Sequence, residues 1–148
     1  NLWGAINCIH AVLPGMIEKQ AGAIVCISSD AGRMGEYREA VYSACKAGVI
    51  ALSKSVARET GRYGLRLNVV CPGLVVPPDD ESISEESMWT QMRDIFTDDV
   101  RERVERNYLF RRMAKASEIA NAVVFLSSDA ASFITGQTLS VSGGYTMM

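Results

Sequence analysis

The sequence predicts an α/β fold: a doubly wound parallel sheet with helices on both faces. Short apolar runs at residues 23–27, 66–71 and 138–141 alternate with longer stretches that are rich in helix-forming residues. Such alternation is typical of parallel sheets, because each parallel strand needs a crossover before the next. With 148 residues, 48% hydrophobic and 22% charged, the composition fits one soluble domain.

The first half of the chain predicts a helix, a strand and a second helix. The first helix covers residues 1–20, and Pro14 should end or kink it because proline has no N–H to donate. Residues 23–27 form a buried strand, and a loop leads from it to a helix over residues 40–62, which contain no proline. Gly64 closes that helix, as glycine commonly does just past a helix end.

The second half predicts a strand at residues 66–71, a polar stretch at 77–86, and one or two helices between 87 and 106. Ser117 should cap a further helix that runs to about Ser127, with Glu118 in its first turn. The last strand covers residues 138–141. The carboxyl ends of parallel strands meet at one rim, which is where open α/β sheets place their ligands.

Three residues near that rim suggest acid–base chemistry. Tyr42 and Lys46 lie four apart and therefore share one face of a helix, and Ser29 lies 13 residues before Tyr42, just past a strand. A free tyrosine titrates near ~10, and a lysine ammonium held beside a phenol lowers that pKa towards a useful range. Each feature alone is common in proteins; the combination is not.

The combination resembles the short-chain dehydrogenase/reductase family. The matching segments are Ile27-Ser28-Ser29-Asp30-Ala31-Gly32, Lys46-Ala47-Gly48-Val49, Arg66-Leu67-Asn68-Val69-Val70-Cys71-Pro72-Gly73, Ser117-Glu118-Ile119-Ala120, Ile134-Thr135-Gly136-Gln137 and Gly143-Gly144. The resemblance covers nearly the whole chain and is weakest at residues 75–108. It implies a Rossmann-type sheet and a hydride transfer between a nicotinamide cofactor, NAD or NADP, and a secondary alcohol or ketone.

The resemblance also implies roles for individual residues. Tyr42 would exchange the proton with the substrate oxygen, Lys46 would assist it and bind the nicotinamide ribose, and Ser29 would hold the substrate oxygen. Asn1, in a segment similar to the family's Asn-x-x-Gly, would order a water that links Lys46 to solvent. We expect no metal site.

The resemblance further implies cofactor contacts by Tyr42, Lys46, Pro72, Gly73 and Val75. The family often carries a threonine four residues after the glycine of the Pro-Gly turn, where its hydroxyl can hold the nicotinamide carboxamide. In this sequence that position is Pro77, which offers no hydroxyl. Residues 78–108 should form a lid over the substrate. Five apolar residues at helix-like spacing should either line an apolar pocket or pack the lid down: Met88, Trp89, Met92, Ile95 and Phe96.

A feature of the family is missing from the sequence: the glycine-rich turn that holds the dinucleotide pyrophosphate. None of the 12 glycines forms such a turn after an early strand. We therefore expect residues 1–148 to be the carboxyl-terminal, catalytic and substrate-binding portion of a single longer domain, inactive in isolation. A naturally short protein is the alternative.

The remaining expectations concern substrate, partners and location. Residues 28–33 and 140–144 resemble dehydrogenases of cyclic hydroxyacyl thioesters as well as oxoacyl reductases, so a hydroxyacyl or oxoacyl thioester is a candidate for the small-molecule substrate. The net charge of −2 argues against nucleic acid, and no run approaches the ~20 apolar residues of a membrane span. The four cysteines are widely spaced and lack the pairing of a zinc site, so we expect reduced thiols in a cytoplasmic protein. The resemblance implies a homo-oligomer, a dimer or tetramer. The rival hypothesis is a catalytically silent interaction module.

Overall fold

The computed structural model describes residues 1–76, 84–86, 90 and 95–148. In this part of the chain the strands are β1 (Gly22–Ile27), β2 (Leu65–Pro72), β3 (Val75–Val76), β4 (Ala114–Lys115) and β5 (Thr138–Val141). The helices are α1 (Leu2–Lys19), α2 (Ala31–Met34), α3 (Ala40–Thr60), α4 (Asp98–Glu105) and α5 (Ala116–Ser127), with short 3-10 turns at Gly61–Tyr63 and Asp129–Ala131.

The main sheet has the order β1-β2-β5, and all its neighbouring strands are parallel. Residues next to each other on a strand face opposite sides: Ile24 packs with α1 and α3, whereas Val25 packs with α5. Helices therefore cover both faces of the sheet. The prediction of an α/β fold with a parallel sheet is confirmed.

Several element boundaries differ from the prediction. Helix α1 continues through Pro14; Pro14 and His10, whose carbonyl the missing N–H would have met, are both exposed, so water can satisfy that carbonyl. The four-residue helix α2 lies where only a loop was predicted. The prediction that Ser117 caps α5 was wrong: Lys115 is the N-cap, and its N–H donates to the Glu118 carboxylate at 2.8 Å.

Other expectations agree with the structure or lie outside its described part. Gly64 has a φ of 75° and follows the 3-10 turn that ends the α3 segment, as predicted. Helix α4 falls inside the region where one or two helices were expected. The expectations for Pro77, Met88, Trp89 and Met92 lie outside the described residues. None of the helices described is both long and apolar enough to cross a bilayer.

Candidate active site

The carboxyl ends of β1 and β2 form the rim on which the site is built. Just past the last paired residues of β1 and β2, the Ser28 N–H donates to the Val70 carbonyl at 2.8 Å and the Asp30 N–H donates to the Pro72 carbonyl at 3.2 Å. Ser29 lies between them and is partly buried. Its Oγ accepts a hydrogen bond from the Ala31 N–H at 3.2 Å, which leaves the hydroxyl proton available for a substrate oxygen.

Tyr42 and Lys46 lie one turn apart in the first half of α3, as the sequence predicts. The Lys46 Nζ is 5.6 Å from the centroid of the Tyr42 ring, and both side chains are partly buried. The same Nζ donates to the carbonyl of Ile27, the last residue of β1, at 3.1 Å. Lys46 therefore connects the tyrosine to the end of the strand that leads to Ser29.

The start of α3 is held against the rim by contacts to its main chain. The Ser28 hydroxyl donates to the Lys46 carbonyl at 2.8 Å. A Cβ added at Gly32 in α2 would lie 2.7 Å from both the Ala47 nitrogen and the Lys46 carbonyl carbon, so only glycine allows this approach. The predicted residues Ser29, Tyr42 and Lys46 are thus brought to one rim by short-range packing.

Asn1 lies at the start of α1, is exposed, and makes no capping hydrogen bond with its side chain. Asn1 and Ile27 line the same groove of about 450 Å³ between α1 and β1. Because Lys46 binds the Ile27 carbonyl, Asn1 lies at the same end of the sheet as Lys46.

A cavity of about 290 Å³, which we name the rim cavity, opens beside Ser29. Ser29, Pro72 and Gly73 line it, together with Glu36, Tyr108 and Tyr145. Of the predicted cofactor contacts, Pro72 and Gly73 therefore lie next to Ser29. Val75 lies just beyond, in β3, where it pairs with Ala114.

A chain of contacts along the rim cavity was not predicted from the sequence. The Tyr145 hydroxyl donates to the Glu36 carboxylate at 2.7 Å, the Tyr145 ring stacks on Tyr108 with 5.1 Å between centroids, and the Tyr108 oxygen accepts from the Leu74 N–H at 2.8 Å. The pKa of Tyr145 is raised, first by this bond to Glu36 and then by burial. Burial chiefly raises the pKa of Tyr108, so both phenols stay protonated near neutral pH.

Comparisons with known proteins agree with this geometry. The family model described as enoyl-(acyl carrier protein) reductase matches residues 1–146. The 3-oxoacyl-[acyl-carrier-protein] reductase FabG of Staphylococcus epidermidis is 39% identical over 147 residues, which are 99% of this chain and 55% of the relative. The chain thus spans about half the length of the curated relatives it matches.

Solved structures lead to the same family. "ElxO with NADP bound" matches with a TM-score of 0.84 and 28% identity, covering 98% of this chain and 54% of the other. A 3-oxoacyl-[acyl-carrier protein] reductase with bound NAD from Brucella melitensis matches with a TM-score of 0.81 and 32% identity, covering 99% and 50%. With its Rossmann-type parallel sheet and a family match over almost its entire length, the chain belongs to the short-chain dehydrogenase/reductase family.

Proposed function

We propose that the full-length protein is an NAD(P)-dependent oxidoreductase that interconverts a secondary alcohol and a ketone, with an oxoacyl or hydroxyacyl thioester as the substrate. The observation that carries this proposal is the position of the Lys46 ammonium, 5.6 Å from the Tyr42 ring centroid and bonded to the end of β1. A phenol beside a fixed cation, on the rim that also carries the Ser29 hydroxyl, can exchange a proton with a substrate oxygen.

Each residue has a distinct task in this proposal. In the reductive direction, Tyr42 gives its proton to the carbonyl oxygen while Ser29 donates a hydrogen bond to the same oxygen. Lys46 stabilises the negative charge that develops on the phenolic oxygen, because the Ile27 carbonyl holds the ammonium nearby. Asn1, at the same end of the sheet, is a positioning residue for a water that connects Lys46 to solvent.

The residues at the rim fit a nicotinamide dinucleotide, which supplies or accepts the hydride when it is bound. An ammonium has three donors, and Lys46 uses one of them on Ile27, so two remain for ribose hydroxyls. Pro72 and Gly73 lie beside Ser29. The Leu74 N–H donates to the Tyr108 oxygen, and the Leu74 carbonyl accepts from the Ala114 N–H. Val75 is therefore the residue proposed to contact the carboxamide through its backbone. One structural neighbour has NADP bound and another has NAD bound, which supports this cofactor class and leaves the choice between the two open.

Mutation of Tyr42 in the full-length protein tests the proposal. Tyr42→Phe keeps the ring and removes the transferable proton, so kcat should fall by the ~10²–10⁴-fold of a lost acid–base group. Tyr37→Phe is the matched control, because Tyr37 is 85% exposed and lies outside the rim cavity. Its kcat should match that of the wild type.

Two results would count against the proposal. If Tyr42→Phe kept more than about a tenth of the wild-type kcat, Tyr42 would not be the acid–base group. If the full-length protein reduced no ketone or oxoacyl thioester with NADH or NADPH, the rival hypothesis of an interaction module would be favoured.

A further inference from the structure

The rim cavity carries negative charge next to the proposed reaction centre. Glu36, Glu39 and Asp30 line it, and no other charged side chain does so among the described residues. Arg33 Nη1 lies 3.8 Å from Asp30 Oδ1 and compensates part of this charge, but Arg33 does not line the cavity. The wall formed by Asp30, Glu36 and Glu39 is named the acidic wall below.

Glu36 is fixed in this wall by three hydrogen bonds. Its carboxylate accepts from the Tyr145 hydroxyl at 2.7 Å and from the Tyr37 N–H at 3.2 Å. Its backbone N–H donates to the Ser43 hydroxyl at 3.2 Å. Because Ser43 follows Tyr42 in α3, the Glu36 charge is held close to the first turn of the catalytic helix.

Glu39 and Asp30 add charge that the surroundings compensate only in part. Glu39 immediately precedes α3, and its carbonyl accepts from the Ser43 N–H at 2.7 Å; its carboxylate has no hydrogen bond or ion pair within the described residues. Asp30 is 1% exposed, and its Oδ2 accepts from the Ser140 hydroxyl at 2.7 Å. The Asp30 Oδ1 accepts no hydrogen bond from the residues that the structure describes.

We propose that the acidic wall makes this site select substrates that are uncharged next to the reacting carbonyl and reject free β-keto acids. A carboxylate in the rim cavity would lie against two or three like charges in a partly desolvated space, which costs binding free energy. An ester or thioester presents the same carbon skeleton without the charge. The inference rests on the proposed function and names which form of an oxoacyl substrate the site accepts.

The test is a selectivity ratio measured on the full-length protein with saturating cofactor. The probes are methyl acetoacetate and acetoacetate, which differ in one masked carboxylate. The ratio of kcat/KM for the ester to kcat/KM for the acid should be large in the wild type. In the Glu36→Gln, Glu39→Gln double variant it should fall by about tenfold or more, because kcat/KM for acetoacetate rises relative to that for the ester, and added salt should reduce the wild-type ratio.

The variants are chosen to keep the geometry while they remove charge. Glutamine at position 36 can still accept from the Tyr145 hydroxyl, and the Glu39 carboxylate has no partner to lose within the described residues. Glu39→Gln alone therefore gives a partial decrease even where the double variant folds poorly. Glu59→Gln, an exposed charge later on α3, is the control and should leave the ratio unchanged.

The possible failures are distinguishable. If the double variant kept the wild-type ratio within about twofold while ester reduction still required Tyr42, the acidic wall would not set selectivity and the inference would be overturned. If the wild type reduced neither ketone, or reduced the ester equally well with Tyr42→Phe, the proposed function would fail first and the inference with it.

Discussion

Replacing Tyr145 with phenylalanine would remove one oxygen atom from the rim cavity and test how the C-terminal segment is attached to the loop before α3. The Tyr145 hydroxyl donates to Glu36 Oε2 at 2.7 Å across a separation of 109 residues. The ring stacks on Tyr108, and phenylalanine would keep that contact. The change in the free energy of unfolding therefore reports the hydrogen bond rather than the packing.

The size of the effect follows from the partner's charge and exposure. A hydrogen bond to a charged group contributes ~1.5–3 kcal/mol. Glu36 is only partly buried, so water can replace part of the lost bond, and we expect about 1.5 kcal/mol from the lower end of that range. Glu36 raises the pKa of Tyr145, which means that the stabilisation is complete below the ordinary tyrosine pKa of ~10 and is lost as pH rises through the folded-state pKa. The difference should therefore be constant from neutral pH to about pH 9.

Urea unfolding of the full-length protein, with equal slopes for wild type and variant, measures this difference. Tyr37→Phe is the control, because that side chain is 85% exposed; its effect should be close to zero. A loss for Tyr145→Phe below about 0.5 kcal/mol, or one no larger than the control, would refute the argument that this bond stabilises the rim.

Two further predictions concern the support of the site. Asn68→Ala should lower the free energy of unfolding by about 2–4 kcal/mol, because the buried amide donates to the Ile134 carbonyl at 2.8 Å and accepts from the Gln137 N–H at 3.0 Å; urea unfolding measures the loss. Asn68→Asp should not restore the stability, because a carboxylate cannot donate to the Ile134 carbonyl and would bury a negative charge against it. Arg112→Ala should raise the pKa of Glu118 from about 2 towards 4.5 in an NMR titration, since the Arg112 hydrogen bond is the main cause of the depression. Because the pKa of Glu118 is depressed in the folded protein, the ionised carboxylate stabilises the fold above about pH 4.5, and this stabilisation is lost as pH falls towards 2. If the pKa of Glu118 stayed unchanged in the variant, the hydrogen bond from the Lys115 N–H would be the main cause of the depression instead.

The sequence predicts the elements whose signals are local. The strand at residues 138–141 agrees with β5, and the start of α3 at Ala40 was expected from its helix-forming composition. Ser29, Tyr42 and Lys46 could be identified because a strand end and a helix turn fix their relative positions within 18 residues. Helix α2 was missed because four residues are too few to show a periodic pattern.

Two other side chains of the rim cavity, Tyr108 and Tyr145, could not be found from local sequence signals. Tyr108 meets the Leu74 N–H across 34 residues, and Tyr145 meets Glu36 across 109. Neither tyrosine belongs to a motif with fixed spacing, and each lies in a loop or turn. Their positions depend on how the segment after α4 and the segment after β5 fold back over the rim, which no local pattern in the sequence encodes.

Different residues support the proposed chemistry and the proposed choice of substrate. Contacts to main-chain atoms hold α3 against the rim. The Ser28 hydroxyl donates to the Lys46 carbonyl, Lys46 Nζ donates to the Ile27 carbonyl, and Gly32 approaches the main chain of Lys46 and Ala47 closely. Exchanging cavity side chains such as Glu36 leaves these contacts in place, so the proposed catalytic residues could act on different substrates. Family membership therefore predicts the reaction type of this chain better than its substrate, and the acidic wall is where the substrate preference should be sought.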